Sequence, residues 1–295
     1  VAGDLQPSGI VHHMQIAAVV EPGSRRLDTI TAAQPNVAFE PSPTSRGESC
    51  RDPVRRIEAL AGTPLDAQYA RRLGSEIGGN RGCSHLLTLA QLMGSTVAWA
   101  LDHDPVPGPR RPGERVFRRD LVVDGHEPAT GRVQLAVQLS DLHFAPAPPV
   151  AQPMARFGAD RTVRLLADVD LGTFALTRVQ GTERLRDRAT ISTAAWRPRA
   201  DVLDGLTGLS LAQGVTAALL RQLGDAPDDR PLLDALLMLA PALIQCVAAN
   251  SEPFAELYRD NPSLVAMGGL PDSCYMWRRD GALHAVRQSD SKPAR

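Results

Sequence analysis

The residues best suited to catalysis or ligand binding lie close together in the string GGNRGCSHLLTL (78–89). Its glycines allow a tight loop, and the pattern that follows predicts a helix whose free N–H groups can hold an anion or oxyanion. The same helix end would stabilise the thiolate of Cys83, and His85 can act as acid, base or ligand. Residues i and i+2 of a helix do not face each other, so this pair meets only if Cys83 precedes the helix. The alternative is structural, with a buried thiol and a core histidine.

A second string, GGLPDSCYMWRRDGALH (268–284), contains polar and aromatic residues just before a turn. Asp272 and Cys274 could close a pocket, and Tyr275 and Trp277 are two of only 12 aromatic residues (six Phe, three Trp and three Tyr). Such a cluster indicates a lined pocket or an interface. The simpler alternative is a closing hairpin that packs its own aromatic side chains.

Arginine almost completely replaces lysine, since of 32 basic residues only Lys292 is a lysine. Walker-type phosphate loops, pyridoxal phosphate enzymes, Schiff-base aldolases and kinases all need a lysine in the site, so these classes are excluded. The formal net charge of -1 argues against broad nucleic-acid binding. An anionic substrate must therefore be held by arginine or by helix N–H groups. The arginines near the glycine loop are Arg51, Arg55, Arg56 and Arg81.

The N-terminal segment lacks a basic start followed by an apolar run, so we expect a cytoplasmic protein without a signal peptide. The longest apolar stretch, 232–249, is interrupted by Asp234, Pro241 and Gln245, which favours a buried helix over a membrane span. The four cysteines lie far apart, so we expect reduced thiols, no metal and no cofactor. A weaker alternative is a zinc site built from distant ligands. Those ligands would be Cys50, Cys83, His85 and Cys274.

An internal duplication is indicated when the chain is shifted by 146 residues. The identities are Leu60, Gly62 and Leu65 with Leu206, Gly208 and Leu211. Further apolar matches keep helical spacing, so we predict an α+β fold of two similar hairpin–helix–helix–hairpin units packed into one compact body. At this shift Gly82–His85 meet Asp228–Pro231, an ordinary helix start. The apolar scaffold repeats, but the Cys/Ser/His set occurs only in the first copy. A purely structural role for these residues gives less reason for the two copies to differ.

The boundaries follow from this repeat. We expect a first unit over 1–145, a second unit over 154–290 and a disordered tail at 291–295. A proline-rich connection at 145–153 separates the units. Each unit is expected to close with a hairpin, and the predicted strands are 115–123 with 131–144 and 273–278 with 282–287.

The chain resembles a known bacterial family in these same strings. GCSHLLTLAQLMGSTVAWA, together with Cys50 and RRIEALAGTPL (55–65), resembles the GC-[ST]-H-L pattern of the family called domain of unknown function 2889. DSCYMWRRDGALH resembles the C-terminal end of an actinobacterial branch of it. The resemblance implies small-molecule catabolism, in settings that handle aromatic compounds or steroids. It supplies no established mechanism and no catalytic role.

We therefore predict a cofactor-independent hydrolase or lyase that acts on a hydrophobic carboxylated or thioester small molecule. The predicted catalytic residues are His85, Cys83 and Asp272. The predicted substrate-binding residues are Gly82, Ser84, Arg81, Arg51, Arg55, Cys274, Tyr275 and Trp277. The alternative is a non-catalytic binding or assembly protein of a catabolic operon. A homo-oligomer or an operon-encoded protein partner is compatible with either hypothesis.

Overall fold

Two structural units make up the chain. The computed structural model describes residues 13–102, 108–146, 156–224, 226–249, 272 and 274–285. The first unit comprises residues 1–98 with 251–295, and the second comprises residues 99–250. No helix within the described ranges combines the length and apolar character that a membrane crossing requires.

An antiparallel hairpin opens the first unit. β1 (His13–Glu21) pairs with β2 (Arg26–Asn36), and partners such as Ala17 with Thr31 fix the register. Successive side chains of a strand point to opposite faces. The apolar residues of β1 therefore share one face, which packs on the core, and they are Met14, Ile16, Ala18 and Val20.

Helical segments cover that face of the hairpin. They are a 3-10 helix at Val54–Leu60, α1 (Tyr69–Ile77), a 3-10 turn at Gly79–Arg81 and α2 (Ser84–Asp102). Apolar residues at helical spacing bury Tyr69, Leu73 and Ile77 of α1 in one cluster with Cys83 and Leu86. Full burial of a side chain of this size contributes about 1.5–3 kcal/mol. This core therefore fixes the end of α1 against the beginning of α2.

A five-stranded antiparallel sheet organises the second unit. In both chain and spatial order its strands are β3 (Phe117–Ala129), β4 (Arg132–Phe144), β5 (Phe157–Asp170), β6 (Leu176–Asp187) and β7 (Arg197–Pro198). The helices are α3 (Ala200–Leu203), α4 (Val215–Leu223), α5 (Arg230–Leu237) and α6 (Leu239–Ala249), with 3-10 turns at Asp204–Leu206 and Pro227–Asp229. Helix α5 packs on β4 and β5, and α6 packs on β3 and β4.

The same local hydrogen bonds occur in both units. In the first unit the N–H groups of Leu27, Gly62 and Leu65 donate to the oxygens of Thr63 (3.0 Å), Leu27 (2.7 Å) and Arg25 (2.9 Å). In the second unit the N–H groups of Leu176, Gly208 and Leu211 donate to the oxygens of Leu209 (2.9 Å), Leu176 (2.8 Å) and Phe174 (2.9 Å). Arg25 and Phe174 both adopt the left-handed region, with φ of 53° and 58°. The corresponding positions are 146 residues apart in the helices and 149 residues apart in the hairpins.

Two expected hairpins have different outcomes. The first forms as β3 and β4, with its turn between Ala129 and Arg132, but β4 pairs along its length with β5. The hairpin therefore belongs to the second unit, and the division falls at residue 98 instead of residue 145. The hairpin predicted over 273–278 and 282–287 is wrong. A 3-10 turn forms at Tyr275–Trp277 and a helical turn at 282–285.

The structure agrees with some of the other expected features of the fold and differs from others. The protein is α+β, with two sheets in the described residues. Helix α2 matches the helix expected after the glycine loop, whereas the buried helix expected over 232–249 is divided into α5 and α6. Most of the 145–153 connection and the whole tail at 291–295 lie outside the described residues.

Candidate functional site

The loop that leads into α2 depends on two glycines. A Cβ atom on Gly78 would lie 2.3 Å from the oxygen of Gly74, and one on Gly82 would lie 2.2 Å from the oxygen of Ile77. Only residues without a side chain let the backbone pass so close to the last turn of α1. The glycine loop therefore turns directly over the end of α1 and places Cys83 immediately before α2.

Cys83 and His85 lie side by side at this helix end. The sulfur of Cys83 is 4.0 Å from Nδ1 of His85, which agrees with the expectation that the pair meets only if Cys83 precedes the helix. Burial raises the pKa of the Cys83 thiol, although the backbone N–H groups of Leu86 and His85 act in the opposite direction. The thiol is therefore protonated at neutral pH.

Gln34, on β2, is a third member of the site that the sequence reasoning missed. Its side chain is only 4% exposed, and neither its amide nitrogen nor its amide oxygen has a partner among the nitrogen and oxygen atoms of the described residues. The amide lies against the Cys83 sulfur. Arg51 holds the backbone here, since its Nε donates to the oxygen of Gln34 (2.8 Å) and its Nη2 to the oxygen of Pro35 (2.7 Å).

A C-terminal segment of the chain contacts the same loop. The N–H of Tyr275 donates to the oxygen of Gly82 at 2.8 Å. Asp272 accepts hydrogen bonds from the N–H (3.1 Å) and Nε (2.8 Å) of Arg279, and it lies near Asn80. The N–H of Arg279 and then its guanidinium lower the pKa of Asp272. Asp272 is thus an ionised, partly exposed anchor that fixes this segment to the loop, and its carboxylate is already paired.

The aromatic residues of this segment pack on a second apolar cluster. Cys50 and Met276 are buried there, with Cys274 against them, and the rings of Phe39 and Trp277 meet edge to face at 5.9 Å. Burial raises the pKa of Cys50 to about 12. The pocket or hairpin expected from the aromatic string is thus a packed cluster that attaches the C-terminal segment to the first unit.

Some of the other predicted substrate-binding residues already have partners within the chain, and others are exposed. Arg51 forms an ion pair with Glu40 in addition to its backbone contacts, so its guanidinium is occupied. Arg81 donates to the oxygen of Gly74 at 3.3 Å. Arg55 is exposed on the 3-10 helix at 54–60, and Ser84 is half-buried at the first position of α2. The guanidinium of Arg278 lies 4.1 Å from the ring centroid of Tyr275.

The weaker zinc alternative has no support in this geometry. No three His, Cys, Asp or Glu side chains in the described parts of the chain are placed to hold one metal ion. None of the four cysteines, all of them among the described residues, forms a disulfide. Burial raises the pKa of Cys50 and of Cys83, and protonated thiols bind metals poorly.

The equivalent place in the second unit has charged residues instead. Glu183 stands at the position of Gln34 in the hairpin, and Asp229 stands at the position of Cys83 before the helix. Arg199 bridges them, with Nη1 3.3 Å from Oε2 of Glu183 and 2.9 Å from Oδ1 of Asp229. Arg161 is also paired with Glu183. In the second unit the buried Glu183 is thus paired with two arginines. The amide of Gln34 has no nitrogen or oxygen partner in the described residues.

One comparison with known proteins finds a match, and it covers residues 1–98. No curated protein and no solved structure matches the chain significantly. The family model described as "Protein of unknown function (DUF2889)" matches residues 1–98, the part of the chain from β1 to α2 that contains Gln34, Cys83 and His85, and this match supports the expected family.

Proposed function

We propose that the first unit is a cofactor-independent enzyme of the hydrolase or lyase type, with His85 as its general acid or base. The observation that supports this most directly is the cluster of Gln34, Cys83 and His85 at the N-terminal end of α2. It combines a titratable ring, a neutral thiol and a buried amide that has no nitrogen or oxygen partner in the described residues. Such polar groups gain hydrogen bonds when a substrate supplies the complementary atoms.

The contact with Cys83 leaves Nε2 of His85 able to donate or to accept a proton. A thiol can donate or accept a hydrogen bond, so the contact at Nδ1 is compatible with both neutral tautomers of the ring. When the thiol donates, Nε2 keeps a proton that it can give to a leaving group. When the thiol accepts, Nε2 can take a proton from water or from a carbon acid. Cys83 then positions the ring, which its raised pKa favours over a role as nucleophile.

A hydrophobic carboxylated or thioester molecule remains the proposed substrate. Arg55 is the candidate for holding a carboxylate, because Arg51 is already engaged with Glu40 and with two backbone oxygens. The N–H groups of Leu86 and His85 at the beginning of α2 are directed at the Cys83 thiol, so an oxyanion held there takes the place of that contact. A role in steroid or aromatic catabolism, and a cytoplasmic location, rest on the resemblance and on the sequence alone.

The test is a pair of histidine variants assayed against a panel of aryl esters and acyl thioesters. His85→Ala is expected to lower kcat/KM by about 10²–10⁴ with the fold intact. His126→Ala, on an exposed position of β3, is the matched control and should leave the rate unchanged. A folded His85→Ala protein with full activity would contradict the proposal.

A non-catalytic binding or assembly protein is the second candidate function. It is favoured because several expected site groups are already satisfied within the chain: Asp272 by Arg279, and Arg51 by Glu40. Gel filtration with and without operon-encoded neighbours separates the two functions. A stable hetero-complex without turnover of any panel substrate would favour this candidate.

We infer in addition that the two units arose by duplication, as the 146-residue alignment predicts. The shared hydrogen bonds, the two left-handed residues and the common helix bounds support this proposal. On this interpretation the second unit is a copy of the scaffold in which Glu183 and Asp229 are locked to Arg199. The chemistry then belongs to the first copy. Structures of each unit from related chains would test it, since unrelated topologies would contradict a duplication.

A further inference from the structure

A groove in the second unit has the dimensions of a small-molecule site. It has a volume of about 460 Å³, within the range of about 300–1,000 Å³ that is usual for such sites. Strands β5 and β6, the end of β7 and α3 form its walls. Its apolar lining includes Leu166, Pro198 and Ala200, and Arg164 and Asp204 add one positive and one negative side chain.

A basic and aromatic rim borders this groove. The guanidinium carbons of Arg164 and Arg184 lie 4.4 and 4.5 Å from the ring centroid of Trp196. Arg164 donates to the amide oxygen of Gln138 at 3.2 Å, and the Nε of Arg184 is buried without a hydrogen-bond partner. Neither arginine belongs to an ion pair formed by the described residues. Arg164 thus brings to the groove a positive charge that forms no ion pair within the described residues, and Arg184 lies against the same indole.

Other arginines of the same sheet do have acidic partners. Arg178 on β6 is paired with Asp168 at 2.7 Å, and Arg186 on the same strand is paired with Asp160. Arg164 and Arg184 differ from these two arginines in having no ion pair within the described residues. A solvated guanidinium stacked on an indole keeps its donors available for a carboxylate.

The groove is not a general consequence of the hairpin scaffold. At the hairpin shift of 149 residues, the first unit has Gln15 and Pro35 where the second has Arg164 and Arg184. The groove residues also lie outside residues 1–98, which the family model matches. Its chemistry is thus separate from that of the His85 site.

We propose that this groove binds an apolar monocarboxylate with an aromatic or alicyclic body. The carboxylate accepts hydrogen bonds from the guanidinium of Arg164, and the body packs on Leu166, Pro198 and Ala200. Asp204 lines the same groove and repels a second negative charge. The lining therefore selects a monoanion over phosphate or a dicarboxylate.

Isothermal titration calorimetry of the full chain tests this site with defined probes. Naphthalene-2-carboxylate is expected to bind, whereas naphthalene-2-carboxamide and inorganic phosphate should bind at least about ten-fold more weakly. Arg164→Gln should weaken binding of the carboxylate about ten-fold or more. Arg178→Gln is the matched control, because it removes an arginine of β6 that already has a carboxylate partner, and it should leave the affinity unchanged.

Three further variants distinguish this groove from the first unit. Ala200→Trp should fill the groove and abolish binding of naphthalene-2-carboxylate, while His85→Ala and Arg55→Gln should leave it intact. Thermal unfolding of each variant checks that the fold is retained. The proposal is overturned if the acid does not bind, if the carboxamide or phosphate binds as tightly, or if affinity is lost in Arg55→Gln but kept in Arg164→Gln.

Discussion

Replacement of Gln34 by leucine is expected to stabilise the first unit while it impairs the site. The side chain is buried, and its amide nitrogen and oxygen have no nitrogen or oxygen partner in the described residues. Each unsatisfied buried polar atom costs about 1–3 kcal/mol. The contact with Cys83 and imperfect repacking of leucine offset part of this gain. We therefore expect Gln34→Leu to raise the free energy of unfolding by about 1–2 kcal/mol.

Hydrogen exchange at increasing urea concentration, followed on peptides of α2, measures this change locally. Activity measured in parallel should fall, because the substrate loses a hydrogen-bonding partner. A gain in stability with a loss of activity distinguishes a binding group from a structural one. If Gln34→Leu lowers the free energy of unfolding by more than about 1 kcal/mol, the amide is satisfied in solution and the reasoning is refuted.

Gln34→Glu keeps the shape and adds the charge that Glu183 has in the second unit. Glu183 is neutralised by Arg161 and Arg199, whereas the guanidinium of Arg51 is already occupied by Glu40. Burial without a partner raises the pKa of the new carboxyl, so the folded state holds its proton more tightly. Stability should then fall as pH rises above the unfolded pKa of about 4.3. The wild-type chain, titrated in parallel, is the control.

Three further changes test other parts of the structure. Because burial raises the pKa of Cys50 to about 12, iodoacetamide should leave it unmodified at pH 8 in the native protein, as read by mass spectrometry, and label it only after unfolding. Gly82→Ala should lower the free energy of unfolding by more than about 2 kcal/mol, because its Cβ would meet the backbone of α1 at 2.2 Å. Gly74→Ala, which meets nothing within 4 Å, should raise it by about 0.5–1 kcal/mol. Asp141→Ala should cost about 1–3 kcal/mol in urea denaturation, because buried Arg119 loses its bidentate partner but keeps its ion pair with Asp234.

Local patterns in the sequence predicted the parts of the fold that depend on local interactions. The opening hairpin and the glycine loop at 78–82 depend on residues close in the chain. Helix geometry gave only the condition that Cys83 meets His85 if it precedes the helix, and the structure meets that condition.

The features that the sequence did not predict depend on contacts between residues that are distant in the chain. The burial of Gln34 depends on packing against α2 and on Arg51, both distant in the sequence, and a single glutamine in a strand gives no signal of this. The segment around Tyr275 forms a 3-10 turn because its N–H donates to Gly82, nearly two hundred residues earlier. β4 pairs with β5 as well as β3, and local alternation specifies that a strand exists without specifying its second partner.

The contrast between the two units bears on where function is to be sought. In the second unit, Glu183 and Asp229 show that this hairpin and helix start can fold around a polar centre whose charges are all paired. The scaffold therefore does not require a buried amide that lacks nitrogen and oxygen partners in the described residues, as Gln34 does. Buried polar groups without hydrogen bonds are expected where a protein loses stability in favour of function. Asp272 and Arg51 already have partners within the chain, so a substrate has most to offer to Gln34 and its neighbours Cys83 and His85.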